Sequence, residues 1–284
     1  MSGEILKDAR LAFVGCGVMA ESIIAGLLKN DLVDPSHVFG SHPRTERREE
    51  LQSRFAVRMV ESNREAVTLA HSDSGSVPSI VFLTVKPQRL NLILNELKGV
   101  VHEDQLVVSI VAGARIETLT SGLLHQTIVR AMPNTPAQIG EGMSVWTATP
   151  EVTAEQRQQI ETILSSLGRA LHVEEEKMID MATALSATGP TYTFLVMEAL
   201  TDAGVHLGFS RHVAQELVVQ TMLGSVLFAR ESHKHPAELR NMVTSPGGTS
   251  AEAIYQMEKG SLRTVLSKAV WAAYQRAISL GRKG

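Results

Sequence analysis

The chain has 284 residues, of which 44% are hydrophobic and 20% charged, and this length allows one large domain or two of ordinary size. Its formal net charge of −3 argues against a broad basic surface for nucleic acid, and its single cysteine, Cys16, excludes a framework of disulfides within the chain. No run of about 20 apolar residues predicts a membrane span and no targeting signal is recognisable, so we expect the protein in the cytoplasm.

The first half of the sequence alternates short apolar runs with amphipathic stretches, which is typical of βαβ units with parallel strands. Helices are predicted at Ala20–Leu28, where apolar residues repeat with a helical period, and at the charged stretch Arg44–Phe55. A mostly parallel, doubly wound sheet is therefore expected over residues 1–173. The predicted strands are Leu11–Val14, Val38–Gly40, Ser79–Val85, Leu106–Val111, Thr127–Met132 and Met143–Thr147, and the last strand signal lies at Leu171–Glu174.

The second half of the chain changes in character near Glu174. Three long stretches with helical period, Met178–Val205, His212–Ala229 and Ser250 to the last residue, predict an all-α domain over residues 174–284. This half is rich in Ala, Leu and Met and is too apolar to be covered by solvent alone. We therefore expect it to pack against another subunit in a homo-oligomer.

A glycine-rich turn joins the first predicted strand to the first predicted helix. Its sequence is Gly15-Cys16-Gly17-Val18-Met19-Ala20, a Gly-x-Gly-x-x-Ala pattern. The first glycine permits a tight turn, the second lets the backbone approach a pyrophosphate, and the alanine allows the helix to pack closely on the strand. Because the helix N-terminus also offers free N–H groups to phosphates, the sequence predicts a Rossmann domain that binds a dinucleotide. We interpret Cys16 as a small buried side chain rather than a reactive thiol.

The end of the second predicted strand bears on which dinucleotide is bound. An NAD site usually has a carboxylate there, which accepts bonds from the ribose 2′-hydroxyl. No carboxylate precedes Glu46 in this stretch. We therefore predict NADPH as the preferred cofactor, with NADH possible. The side chains that could donate to a 2′-phosphate are Ser41, His42, Arg44 and Arg47.

Several further stretches combine into a more specific pattern. Thr84–Gln88 and Ser109–Gly113 follow two predicted strands, and Arg130–Ala137 comes next in the chain. Far downstream stand Ser186-Ala187-Thr188-Gly189-Pro190-Thr191-Tyr192 and Ser245-Pro246-Gly247-Gly248-Thr249-Ser250. With these motifs the sequence resembles the pyrroline-5-carboxylate reductases over essentially its whole length, and the Ser-Pro-Gly-Gly-Thr stretch is the most specific element.

The resemblance implies an NAD(P)H-dependent oxidoreductase that transfers a hydride to a cyclic imine, reducing 1-pyrroline-5-carboxylate to L-proline in the last step of proline biosynthesis. It also implies a Rossmann domain followed by a helical dimerisation domain, with homodimers that can assemble into decamers. The implied cofactor contacts are Gly15, Cys16, Gly17, Val18, Met19, Ala20, His42, Asn63, Thr84, Val85, Lys86, Pro87, Val111, Ala112 and Gly113. The implied substrate contacts are Glu176, Asn241, Met242, Thr249 and Ser250.

The residues before the last helical stretch suit a bound carboxylate. Gly247 and Gly248 let the backbone come close to a ligand, and the hydroxyls of Thr249 and Ser250 can donate to an anion as well as cap the helix. We predict an anion cradle here, with Ser250 and Thr249 as the catalytic pair and Ser250 as the hypothetical proton donor. Thr188 keeps the hydroxyl that the family motif has at this position, and we expect this hydroxyl to contact the substrate.

No metal site is predicted from the sequence. His233 and His235 resemble a metal-binding pair, but no carboxylate at ligand spacing accompanies them, so we interpret them as ordinary histidines.

Alternative functions stay open at this point. A β-hydroxyacid dehydrogenase would need an acid/base lysine on a helix of the second half, but there is no lysine between Lys177 and Lys234. A reductase of a related cyclic imine, such as the six-membered homologue, fits the same motifs. The resembled family usually has Gly and Ala where this chain has Ala187 and Thr191, and Asp-Asn where it has Asn241-Met242. These departures also suit a catalytically weak NAD(P)-binding regulator of the same fold.

Overall fold

The computed structural model describes residues 4–71 and 77–281. The chain divides into two compact units, which we call unit 1 (Met1–Thr188 with Ala273–Gly284) and unit 2 (Gly189–Ala272). The predicted domain limits, 1–173 and 174–284, stay a prediction about domain organisation.

One mixed sheet forms the centre of unit 1. In the described part of this unit eight strands are arranged in the order β3-β2-β1-β4-β5-β6-β7-β8, and only the β6–β7 pair is antiparallel. The 3-2-1-4-5-6 part of this order is the doubly wound Rossmann arrangement, so the predicted fold class is confirmed. The strands are β1 (Arg10–Val14), β2 (Val38–Ser41), β3 (Arg58–Val60), β4 (Ser79–Leu83), β5 (Leu106–Ser109), β6 (Ile128–Met132), β7 (Gly142–Ala148) and β8 (Gly168–His172).

The central strands are buried on both faces. Successive side chains of β1 enter two different apolar cores, with Leu11 and Phe13 in one and Ala12 and Val14 in the other. Phe13 pairs with Phe82 of β4, and the two rings stack with centroids 4.8 Å apart. Burial on both faces explains why these strands are continuous apolar runs rather than alternating patterns.

The helices of unit 1 follow the strands. Both helices predicted in the first half are present, and Arg44, the predicted first residue of the second helix, is its N-cap. The helices are α1 (Val18–Lys29), α2 (Thr45–Phe55), α3 (Asn63–Ala70), α4 (Leu90–Leu97), α5 (Ile116–Leu123), α6 (Ala154–Ser165) and α7 (Lys177–Ala182).

Unit 2 is helical. It contains α8 (Gly189–His206), α9 (Arg211–Ser232), α10 (Pro236–Met242), α11 (Thr249–Lys259) and the first part of α12 (Leu262–Gly281). A Cβ at Gly204 would lie 2.9 Å from Cβ of Ala214, so α8 and α9 approach each other closely at this point.

Large apolar side chains of α8 and α9 remain exposed. More than half of the surface of each is accessible at Phe194, Leu195, Leu223, Val226 and Phe228. So many exposed large apolar side chains on two helices indicate an interaction surface. No described helix is both long and apolar enough to cross a membrane.

Several elements of the structure differ from what the sequence predicted, and the helices α3 to α6 were not predicted either. The strand β3 has only three residues, too few to give a periodic signal, and it was not predicted. The helix α10 was also missed, although it begins with Pro236 at a first-turn position and His235 caps it by accepting a bond from the backbone N–H of Ala237. The predicted helix from Ser250 to the end is interrupted at Ser261, which has a φ of +59°.

The long helix predicted over Met178–Val205 is likewise divided. A π-helical turn, Thr183–Ala187, separates α7 from α8. The hydroxyl of Thr188 donates to the carbonyl of Thr183 at 2.8 Å, and this bond supports the change in winding before Gly189.

Candidate active site

The predicted cofactor turn lies between β1 and α1, at the carboxyl edge of the parallel strands. Gly15 has a φ of +89°, and a Cβ there would lie 2.5 Å from Cγ1 of Val85. Gly17 is the N-cap of α1, makes no side-chain capping bond, and has no heavy atom within 4 Å of where its Cβ would lie. The N-terminus of α1 therefore opens onto free space beside Gly17, which is the geometry that an anionic pyrophosphate requires.

Cys16 and Ala20 of this turn are fully buried and belong to the same apolar core. A Cβ at Gly40 would lie 2.5 Å from Sγ of Cys16, so the thiol fills the space above that glycine. Burial raises the pKa of the Cys16 thiol to about 12, against smaller opposing effects of a backbone hydrogen bond with Ser41 and the charge of Arg47. The structure therefore makes Cys16 a packing residue, in agreement with the interpretation of the sequence.

Ser41, at the end of β2, is bonded inside the protein. Its hydroxyl accepts from the N–H of Gly15 at 3.3 Å and donates to Oδ1 of Asn63 at 2.6 Å, and the residue is fully buried. Asn63 in turn donates from Nδ2 to Oε2 of Glu96 at 2.8 Å. These hydrogen bonds hold the glycine turn in place. The cofactor contacts of Ser41 and Asn63 stay predictions, because each side chain would have to replace one of these bonds with a bond to the cofactor.

The basic residues after β2 differ in their availability. Arg47 forms ion pairs with Glu21 and Glu50, so its charge is already compensated. Arg44 is exposed at the N-terminus of α2, and its backbone N–H donates to Nδ1 of His42 at 3.2 Å. Burial lowers the pKa of His42, and the neighbouring arginine side chains lower it further. Arg44 is thus the better placed of the two arginines for a 2′-phosphate.

The ends of β4 and β5 complete the same sheet edge. The hydroxyl of Thr84 lies 2.9 Å from the carbonyl oxygens of Val14 and Gly15, which ties β4 to the glycine turn. Lys86 is exposed at the start of the next turn, and Val111 is buried. The predicted cofactor segments 15–20, 84–87 and 111–113 therefore follow three adjacent strands.

A cavity of about 290 Å³ is lined by residues of the second and third of these segments and has a wall that the sequence did not predict. Pro87, Ala112 and Gly113 line one side, and Leu280 and neighbouring residues of the last turns of α12 line the other. Gly113 has a φ of +76°, and a Cβ there would lie 2.7 Å from Cβ of Leu280. Nothing in the sequence pattern places Leu280 here, because Leu280 and Gly113 are 167 positions apart in the chain.

Glu176, a predicted substrate contact, is held in a buried polar network. Its Oε1 lies 2.8 Å from Nη1 of Arg130 and also accepts from the backbone N–H of Ile116 at 2.8 Å. Arg130 is 1% exposed and donates a second bond, from Nη2, to Oδ1 of Asp180 at 2.6 Å. This role of Arg130 was not predicted from the sequence, although a charged residue inside the apolar strand β6 is a recognisable signal.

The Ser245–Ser250 turn forms the N-terminus of α11 in unit 2. Gly247 has a φ of +71°, and Gly248, the N-cap, makes no side-chain capping bond. A Cβ at Gly248 would lie 2.5 Å from Oγ of Ser245, so a larger residue there would require the Ser245 side chain to move. Thr249 is exposed and Ser250 is partly buried at the first helical positions. The turn therefore presents uncapped backbone N–H groups and two hydroxyls, which suits an anion.

Asn241 and Met242 end the helix α10 in the same unit. Both are exposed. Nη2 of Arg240 donates to Oδ1 of Asn241 at 3.3 Å, and Sδ of Met242 accepts from Nζ of Lys234 at 3.5 Å. Their predicted substrate contacts stay predictions, as does that of Thr188, whose hydroxyl is bonded to the backbone.

Two family models match the chain. Residues 176–280 match a family described as pyrroline-5-carboxylate reductase dimerisation, and residues 10–113 match one described as NADP oxidoreductase, coenzyme F420-dependent.

Similar proteins cover nearly the whole chain. The pyrroline-5-carboxylate reductase of Pseudomonas aeruginosa is 40% identical over 98% of this chain and 99% of its own length. That of Synechocystis is 38% identical over 96% of this chain and 99% of its own length.

Solved structures of pyrroline carboxylate reductases are also similar to this chain over nearly its whole length. Pyrroline carboxylate reductase of Plasmodium falciparum, solved with NADP bound, has a TM-score of 0.86 at 29% identity and covers 97% of this chain and 99% of its own. The Coxiella burnetii pyrroline-5-carboxylate reductase has a TM-score of 0.85 at 33% identity, covering 96% of this chain and 99% of its own.

Proposed function

The chain belongs to the pyrroline-5-carboxylate reductase family, and on that premise we propose that it reduces 1-pyrroline-5-carboxylate to L-proline with NADPH as the preferred hydride donor. NADH serves as a weaker donor. The observation that carries the proposal is the match at up to 40% identity to reductases of this name over nearly the full length of both chains. The open N-terminus of α1 beside Gly17 supports the dinucleotide part of the proposal.

Unit 1 holds the dinucleotide in this proposal. The N–H groups of Gly15, Cys16 and Gly17 are bonded inside the protein, so the first turn of α1, from Val18 to Ala20, binds the pyrophosphate through its backbone N–H groups. The free space beside Gly17 admits the phosphates, and the dipole of α1 favours their negative charge. His42 and the exposed Arg44 contact the 2′-phosphate. The segments 84–87 and 111–113, which border the cavity of about 290 Å³, position the nicotinamide ring.

The substrate carboxylate is bound by the turn before α11. Gly247 and Gly248 let the backbone N–H groups of the helix N-terminus reach the carboxylate, and Thr249 donates from its hydroxyl. Glu176, Thr188, Asn241 and Met242 are the further substrate residues of the proposal.

The chemistry needs positioning more than strong acid catalysis. When bound, the reduced nicotinamide supplies the hydride that the imine carbon accepts. The ring nitrogen gains one proton, so that C=N becomes CH–NH and the electron count balances. Ser250 lies next to the carboxylate-binding N–H groups, and its hydroxyl, or a water bound to it, holds that proton for the nitrogen.

Assembly follows from the apolar surface of unit 2. The exposed side chains of α8 and α9, among them Phe194 and Phe228, lie within the stretch that matches the dimerisation family, so the protein forms homo-oligomers through this surface. We extend the proposal to decamers built from five dimers, to a division into domains at 1–173 and 174–284, and to a cytoplasmic location.

The test is an assay of NADPH oxidation with purified protein and 1-pyrroline-5-carboxylate, with L-proline identified by chiral chromatography. Oxidation should scale with both protein and imine, and kcat/KM should be higher for the five-membered imine than for its six-membered homologue. A higher kcat/KM for the six-membered imine would assign a different substrate. Tight NADPH binding without turnover of either imine would make the protein a regulator and overturn the proposal.

A further inference from the structure

Two histidines and an aspartate meet on unit 1 away from the predicted cofactor turn. His71 follows the last residue of α3, and His102 and Asp104 lie in the loop between α4 and β5. One donor atom from each residue lies within 4.8 Å of the other two. Nδ1 of His102 is 2.7 Å from Oδ1 of Asp104, and Nε2 of His71 is 3.5 Å from the same oxygen.

The backbone on both sides of this cluster is fixed by one buried glutamine. Gln105 is fully buried, and its Oε1 accepts from the backbone N–H of His102 at 2.9 Å. Its Nε2 donates to Oγ of Ser79 at 2.9 Å, and that hydroxyl donates to the carbonyl of Ala70 at 2.8 Å. Since Ala70 directly precedes His71, a single chain of hydrogen bonds joins the two segments that carry the ligands. The backbone that carries the cluster is therefore held in place before any ligand arrives.

The three donors match the preferences of one class of ion. Two imidazole nitrogens and one carboxylate oxygen suit zinc, nickel, cobalt and copper, whereas magnesium and calcium prefer oxygen donors. Bonds of about 2.1 Å at tetrahedral angles place two ligand atoms roughly 3.4 Å apart, close to the separation of the His71 and Asp104 atoms. His102 and Asp104 are exposed, so their shorter contact can lengthen when an ion binds between them.

We propose that His71, His102 and Asp104 form a binding site for a divalent transition-metal ion of the zinc class, with water in the remaining coordination position. The site lies where α3 ends and where β5 is about to begin, and these are the amino ends of β4 and β5. The proposed cofactor segments follow the carboxyl ends of the same strands, so the metal takes no part in hydride transfer. It clamps the end of α3 to the loop before β5 and thereby stabilises unit 1.

The proposal is tested on full-length, metal-stripped protein without a polyhistidine tag, which would itself bind the ion. Isothermal titration with zinc chloride should give one strong site per chain, and nickel should compete while magnesium should not. Saturating zinc should raise the melting temperature, because an ion that binds only the folded state stabilises it. His71→Ala and His102→Ala should each weaken zinc binding by roughly tenfold or more and remove the melting shift.

Control variants distinguish zinc binding at this site from zinc binding by other histidines of the chain. The double variant His233→Ala/His235→Ala removes an exposed pair in unit 2 and should bind zinc as the unmodified protein does. If His71→Ala does not fold, His102→Ala decides, because half of its side chain is exposed and its loss leaves the Gln105 bonds to the backbone in place. Zinc affinity that is unchanged in His102→Ala, or that is lost equally in the control variant, overturns the proposal.

Discussion

Arg130 and Glu176 form an ion pair of 2.8 Å that joins strand β6 to the start of α7. The guanidinium is almost fully buried, and Asp180 compensates its charge from the other side at 2.6 Å. Glu176 makes two separate contacts here, because it pairs with Arg130 and also accepts a hydrogen bond from the N–H of Ile116 at the N-terminus of α5. Its structural role and its proposed role in substrate binding can therefore be separated by substitution.

Removing Arg130 should destabilise the protein more than neutralising Glu176. Arg130→Met leaves two carboxylates without their cation, which costs about 3 kcal/mol. Glu176→Gln keeps an oxygen for the Ile116 N–H and leaves Asp180 paired with Arg130, so the loss should be about 1 kcal/mol. Thermal melting of both variants measures the difference. If Glu176 also contacts substrate, the Gln variant should show a higher KM for the imine with little loss of stability, and an unchanged KM would exclude that contact.

The two glycines of the cofactor turn should respond differently to alanine. Gly15→Ala places a methyl group 2.5 Å from Val85 at a positive φ, so it should lose roughly 2 kcal/mol of stability. Gly17→Ala meets open space at an ordinary φ of −84° and should fold normally. Its methyl group would enter the space proposed for the pyrophosphate, so NADPH affinity should fall. Melting temperatures and NADPH titration of both variants test this contrast, and normal NADPH affinity in Gly17→Ala would contradict the proposed phosphate site.

Arg44→Ala should reduce the preference for NADPH. The exposed guanidinium is proposed to contact the 2′-phosphate, and the loss of one such charge-assisted bond lowers kcat/KM for NADPH about tenfold while leaving that for NADH nearly unchanged. Arg169→Ala removes an exposed arginine on β8, at the other end of the sheet, and serves as the control. An unmodified enzyme that prefers NADH, with a ratio unaffected by Arg44→Ala, would rule out this assignment.

Ser250→Ala should slow reduction of the imine without disturbing the cofactor. If the hydroxyl holds the proton for the ring nitrogen, kcat/KM should fall by about a hundredfold, and NADPH affinity should be unchanged. Ser225→Ala is the matched control, because Ser225 lies on α9 of the same unit and donates its hydroxyl to the carbonyl of Thr221. Full activity of Ser250→Ala would remove Ser250 from the mechanism.

Cys16 should resist alkylation in the native protein. With its pKa raised to about 12, only about one thiol in ten thousand is ionised at pH 8, and the sulfur is also fully buried. The neutral thiol is favoured in the folded state, so its contribution to stability is complete below the unfolded pKa of 9.0 and is lost as the pH rises toward 12. A thiol reagent should label the protein only after urea is added. If the folded protein were labelled as fast as the protein in urea, the thiol would be accessible and this prediction would be wrong.

Much of unit 1 could be predicted because its signals are local. A central strand such as Ser79–Leu83 is buried on both faces and appears as an unbroken apolar run. The turn Gly15–Ala20 is recognisable because its glycines directly follow a strand and directly precede a helix. By contrast β3 owes its existence to pairing with β2 through Phe39 and Arg58, and three residues carry no period of their own. The π-helical turn Thr183–Ala187 depends on side-chain bonds to the backbone that no apolar pattern reveals.

The sequence by itself determined the fold class, the dinucleotide turn and the two segments that carry the proposed chemistry, because these depend on residue types at fixed short spacings. Only the tertiary structure brought Leu280 against Gly113, paired Arg47 with Glu21 and assembled His71 with His102 and Asp104. Such contacts join segments far apart in the chain. Their distances depend on how helices pack on a completed sheet, which local propensity does not specify.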